Sequence, residues 1–169
     1  MYNGRFFIDH RMFYQNYIMN ASMVVFRKNS RHPDKAYMNY RYVGDWLFWV
    51  GILLNGNTVY IDKQLNLFRQ HAGNTTATSF SSGNNYKEMG RLMTDICRIV
   101  QPPTGFKPYL YGYFFVHLRR HFKKMKYNPS IVKEIFDEWA RNENRTFSII
   151  WYRIAKWLCL YKDKRPFRP

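Results

Sequence analysis

From Tyr86 onward the apolar residues recur at the spacing of an α-helix, and before residue 72 they do not. Tyr86, Met89, Leu92, Met93, Ile96, Cys97 and Val100 fall on one face at 3.6 residues per turn. A second helix is predicted over 109–125, aromatic and ending in basic residues. A third opens with Asn128 as N-cap and Pro129 at its first position, with Ile131, Val132, Ile135, Phe136 and Trp139 on its buried side. The fourth is predicted over 148–161. Two loop-like stretches interrupt the chain, 72–85, rich in Thr, Ser, Gly and Asn, and 100–108. The first is the better boundary and is expected to divide residues 1–76 from a helical region, 77–169.

Ahead of that boundary the pattern is mixed. Ala21-Ser22-Met23-Val24-Val25-Phe26 and Thr58-Val59-Tyr60-Ile61 have the β-branched and apolar content of short, buried strands. Between them Asp45 precedes Trp46-Leu47-Phe48-Trp49-Val50-Gly51-Ile52-Leu53-Leu54, and Asn55-Gly56 follows. That order predicts an N-cap, a helix apolar on nearly every side and a stop signal, so the helix belongs inside a domain.

With 169 residues, 46% hydrophobic and 20% aromatic, the chain can bury a core and is not a disordered tail. Its 27 Lys and Arg against 11 Asp and Glu, a net charge of +16, favour anionic partners such as phosphates, nucleic acid or acidic lipid headgroups. Cys97 and Cys159 lie far apart without metal spacing, which fits a reducing setting. The first eight residues lack a signal peptide's apolar stretch, and no run approaches the ~20 apolar residues that span a bilayer. A cytoplasmic protein is expected, soluble or peripheral at the inner face of the membrane. Triplets beginning at Asn20, Asn74 and Asn144 match the glycosylation pattern but carry no weight without a secretory signal.

A phosphate-cradling glycine loop, a Gly-x-Ser-x-Gly elbow, paired metal cysteines and an RNA-binding aromatic signature are all missing from the sequence. His117 and His121 are spaced four apart but lack the Glu of a zinc-protease helix. Residues 117–126 are densely basic, able to touch a polyanion or to form a solvated face. In the last helix Ile150, Ile154, Trp157 and Tyr161 share a stripe, with Arg153, Lys156, Lys162 and Lys164 beside or beyond it. The stripe is expected to pack on the domain or a neighbour, with membrane-surface docking as the alternative. Asp45 can be read as a general base or as a helix cap worth about 1 kcal/mol. Arg69 can hold phosphate oxygens and His71 a bridging divalent ion, or both can be ordinary surface residues.

Taken in order, Asn20-Ala21-Ser22-Met23-Val24-Val25-Phe26-Arg27, Gly44-Asp45-Trp46-Leu47-Phe48-Trp49, Leu65-Asn66-Leu67-Phe68-Arg69-Gln70-His71 and Asn74-Thr75-Thr76 resemble bacterial family-two glycosyltransferases. The resemblance covers roughly residues 4–76. It implies an α/β fold, a partial GT-A-type domain of a few strands and a buried helix, followed by the helical region. It also implies transfer of a sugar from a nucleotide-diphosphate donor to a glycan or lipid-linked acceptor, in surface polysaccharide assembly. In that scheme Asp45 is the catalytic base, Arg69 binds the diphosphate, and His71 ligates a divalent metal, Mg or Mn. Trp46 and Trp49 line or support the acceptor site.

Two departures accompany the resemblance. Gly44 stands where many relatives have a second acidic residue, and the family's nucleotide-binding βα units and Asp-x-Asp motif, which precede this region in relatives, are absent. The chain therefore reads as a C-terminal portion, expected to be inactive and metal-free in isolation and to depend on a missing N-terminal half or a homo-oligomer. No specific nucleic-acid partner is expected under this reading. The rival, motivated by charge and aromatic content, is a non-enzymatic basic module that binds nucleic acid or an anionic membrane surface.

Overall fold

The computed structural model describes residues 1–27, 35–61, 63, 65 and 75–161. The chain divides into two compact units, one built on Met1–Asn74 and the other on Thr75–Asp163.

In the first unit, strand β1 (Tyr2–Asn3) pairs antiparallel with β2 (Asn57–Thr58), in the register Tyr2 to Thr58 and Asn3 to Asn57. Asn3 then caps helix α1 (Gly4–Phe7), its Oδ1 accepting from the Arg5 and Phe6 amides at 2.9 and 3.3 Å. A π-helical turn, Ile8–Met12, continues the chain. Helix α2 (Gly44–Leu53) lies at the centre of this unit, burying Trp46, Leu47, Trp49, Val50 and Leu53 with Ile8, Met12 and Phe13. Because α2 is apolar on all sides, its packing has to surround it, as its sequence requires. The close fit depends on Gly4, whose amide donates to Gly56 O at 2.9 Å and where a Cβ would overlap the Leu53 carbonyl.

The α/β expectation is wrong for this structure. Helix makes up 66% of it, and the only sheet among the described residues has two strands of two residues each. Residues 21–26 do not form a strand. Ala21–Met23 is a 3-10 turn capped by Asn20, Val24 is extended, and Val25 is 102% exposed. The second expected strand shrinks to Thr58 and its neighbour Asn57, leaving Val59, Tyr60 and Ile61 exposed. β-propensity reports fit to a pleated, half-buried surface, and where no neighbouring strand offers that surface the propensity has nothing to act on.

The start of α2 also differs in detail. Val43 occupies the cap position without a side-chain cap bond, and Asp45 falls inside the first turn.

The second unit is helical throughout its described length: α3 (Thr75–Ser82), α4 (Asn84–Val100), α5 (Phe106–Lys124), α6 (Pro129–Ala140) and α7 (Arg145–Trp157). The α4 face predicted from periodicity is the buried one, except that Met89 is only half-buried. Asn128 caps α6 as expected, accepting from the Ser130 amide at 2.9 Å with Pro129 in the first turn. Trp139 of α6 is completely buried, its Nε1 donating to Tyr86 O at 2.7 Å and its ring within 5.4–5.8 Å of Tyr111, Phe114 and Phe115. Gly90 of α4 clears the space for that indole.

Helix α7 does not use most of its expected stripe to pack on the domain. Its packed face is Ser148, Tyr152 and Ala155, set against α5 where Gly112 lets the backbones approach so closely that a Cβ would overlap the Ser148 carbonyl. Of the expected stripe, Ile150, Ile154 and Trp157 face outward, while Tyr161 packs on Phe106 and Tyr109. The helix carries apolar residues on both faces, and the groove at Gly112 accepts the one with the smaller residues, Ser148 and Ala155.

Candidate functional site

Asp45 enters the site through α2. The buried neighbours Gly44 and Trp46 anchor the backbone on either side of it, while the carboxylate itself reaches solvent. Gly44 packs so tightly that a Cβ would overlap the Tyr37 carbonyl, so no second acidic side chain fits there. Asp45 Oδ1 accepts from the Trp46 amide at 2.8 Å, and Oδ2 accepts from Asn16 Nδ2 at 3.3 Å. Asn16 is itself oriented, because its Oδ1 accepts from the Ile18 amide at 3.1 Å. Each carboxylate oxygen keeps lone-pair capacity for a further donor.

Desolvation by the surrounding protein raises the Asp45 pKa above the ordinary carboxylate value, and the hydrogen bonds from Trp46 and Asn16 oppose it. The open side of the carboxylate screens it, so the shift carries no stability increment of consequence. Asn16 was not singled out from the sequence. It lies 29 residues from Asp45, and no local pattern links the two.

Trp46 and Trp49 are core residues of the first unit. Trp46 Nε1 donates to Met12 O at 2.7 Å, tying α2 to the π-helical turn, and the Trp49 ring stands edge-on to Phe26 and Phe48 at 5.8 and 4.8 Å. As buried side chains they hold the turn that carries Asp45. Arg69 and His71, and Gln70 between them, lie outside the described residues.

Among the described residues no three His, Cys, Asp or Glu side chains converge on one point. The metal ligand the resemblance implies, His71, lies outside the described residues, and no chemical step is derived through Mg or Mn.

In the second unit His121 Nε2 and the Tyr86 hydroxyl are 3.0 Å apart, while His117 stacks on Tyr113 with ring centres 4.2 Å apart. Burial holds the Tyr86 phenol well above its usual range, so it stays protonated. These histidines have separate structural partners. The basic run divides by face: Leu118 and Phe122 are buried, whereas Arg119, Arg120, Lys123 and Lys124 are exposed. No helix among the described residues is long and apolar enough to cross a membrane.

Comparison with known proteins gives no match, whether to family models, to curated proteins or to solved structures.

Proposed function

We propose that this chain carries the acceptor-side, general-base part of a nucleotide-sugar glycosyltransferase. The observation that carries the reading is Asp45, a solvent-reachable carboxylate on the first turn of a buried helix, with both oxygens oriented by hydrogen bonds and its proton affinity raised by desolvation. The ordered motif set around Gly44-Asp45-Trp46 supplies the sugar-transfer chemistry.

In this mechanism an acceptor hydroxyl donates a hydrogen bond to Asp45, and its oxygen attacks the anomeric carbon of the donor sugar. The bond from that carbon to the nucleoside diphosphate breaks as the proton passes to Asp45. A raised pKa makes the carboxylate a better proton acceptor. Arg69 is assigned to the charge of the departing diphosphate.

The described residues contain no crevice at the ends of parallel strands, and the donor site is assigned to a part outside them. With that donor-binding part supplied, Asp45→Asn should lower kcat by roughly 100-fold or more with donor KM unchanged. Asn keeps the shape and one of the two accepted bonds while removing the base, so undiminished transfer would refute the assignment.

A further inference from the structure

The outward face of α7 has the wrong composition for plain solvent exposure. Phe147, Ile150, Ile154, Trp157 and Leu158 lie along one stripe, opposite the Ser148, Tyr152 and Ala155 face that packs on α5. Ile150 is 51%, Ile154 42% and Trp157 82% exposed, and Leu160 beyond the helix is exposed as well. This apolar face is contiguous, unlike the scattered single exposures that any soluble protein shows.

The charge around the stripe selects its occupant. Arg145–Trp157 contains Arg145, Arg153 and Lys156 and no carboxylate. Arg153 and Lys156 are exposed and sit together on one flank of the stripe. In sequence the chain continues Lys162-Asp163-Lys164-Arg165-Pro166-Phe167-Arg168-Pro169, four cations against one anion. A second copy would bring the same cations to the contact and repel. An anionic lipid surface answers both features, taking the apolar side chains into its acyl boundary and the cations at its headgroups.

The geometry suits a helix lying in the plane of the surface. At 13 residues α7 is ~20 Å long, too short to span a bilayer. Its far end is pinned, because Trp151 Nε1 donates to Gly105 O at 2.8 Å and the Tyr161 hydroxyl to Thr104 O at 2.7 Å. The Tyr161 ring also packs at 4.8 Å from Tyr109 and 5.4 Å from Phe106. The stripe is therefore presented on an anchored element. Trp157, the most exposed aromatic of the stripe, has the amphipathic ring that favours the headgroup level.

We propose that α7 is an interfacial docking helix for anionic membrane, inserting Phe147, Ile150, Ile154, Trp157 and Leu158 while Arg153 and Lys156 engage lipid phosphates. This proposal stands on the second unit alone and does not depend on the role of Asp45.

Co-sedimentation of the intact chain with vesicles tests it, using phosphatidylcholine alone and equal parts phosphatidylcholine and phosphatidylglycerol. Retention on the anionic vesicles only is expected. Ile150→Glu and Ile154→Glu should each weaken that retention roughly tenfold, the transfer value of one aliphatic side chain. Both sites are exposed, so circular dichroism and thermal midpoint should stay unchanged. Arg153→Gln with Lys156→Gln should weaken it further and make it less sensitive to salt. Absence of the wild-type chain from anionic pellets overturns the proposal. So does retention indifferent to both Glu variants, which would mean charge elsewhere carries the binding. A dimer in solution that the Glu variants dissociate assigns the stripe to a second copy and equally overturns it.

Discussion

The two units handle apolar residues in opposite ways. In the second, helices α4 to α7 close over an aromatic centre around Trp139, and most of the large apolar side chains left outside, Phe80 and Met125 excepted, lie on or just beyond α7. In the first, α2 is enclosed, but Val25, Val59, Tyr60, Ile61 and Leu65 remain in water. A helix satisfies its backbone within itself and needs only a partner for one face, whereas a strand needs a neighbour for every second peptide group. The second unit can therefore complete its core from its own sequence. The strand-forming residues of the first are suited to a sheet that the described residues do not contain.

Substitutions can break or sharpen this contrast. The largest effect is expected from Trp139→Ala, which empties the centre of the second unit and removes the donor to Tyr86 O, costing about 3–5 kcal/mol. Urea unfolding measures the loss. Cysteine labelling locates it: burial pushes the Cys97 thiol up to about 12, so in the native protein only exposed Cys159 should react at neutral pH. Trp139→Ala should open Cys97 to reagent while hydrogen exchange in α2 stays at the wild-type rate.

Next comes Gly112→Ala, expected to cost about 2–3 kcal/mol because the α5 and α7 backbones must separate to admit a methyl group. A melting temperature equal to wild type would contradict the packing at Ser148. In the first unit, Trp46→Phe leaves Met12 O without its buried donor, a loss of about 1–3 kcal/mol visible as faster exchange in α2.

Asp45→Asn is expected to have a small, pH-dependent effect of the opposite sign. A carboxyl whose folded pKa is raised contributes stability that is fully present below its unfolded pKa and is lost as pH rises through the folded value. The variant should lack that loss and be slightly more stable than wild type near neutrality, by well under ~1 kcal/mol because solvent screens the group. Chemical denaturation of the two proteins at acidic and neutral pH would expose the difference, and equal pH slopes would argue against the raised pKa. Smallest of all, Val25→Thr should change stability by no more than ~0.5 kcal/mol, since the side chain packs on nothing in the described structure. A substantial loss there would mean that residues 21–26 are buried after all.

Much of this was readable from local pattern. The α4 stripe, the Asn128-Pro129 start of α6 and the enclosure of α2 follow from helical period and cap chemistry, which act within a few residues. Asp45 was located correctly at the start of α2, though as a first-turn residue instead of the cap, because helix ends shift by a residue or two with the packing around them. Asn16 was invisible: a bond across 29 residues leaves no periodic trace. Which face of α7 packs on the domain was not legible, because two apolar stripes run along that helix and periodicity alone cannot rank them.

By itself, then, the sequence determined that α2 and α4 to α7 are helical, though not α3 within the stretch read as a loop, which helix must be enclosed, and that the molecule carries a large positive charge. Those properties reside in side chains and their neighbours within one or two turns. Only the tertiary structure decided that 21–26 and 58–61 form no extended sheet, that Asn16 orients Asp45, and that α7 turns Ile150, Ile154 and Trp157 outward. Each of these depends on a surface contributed from elsewhere: a strand edge, the N-terminal segment, or the groove at Gly112.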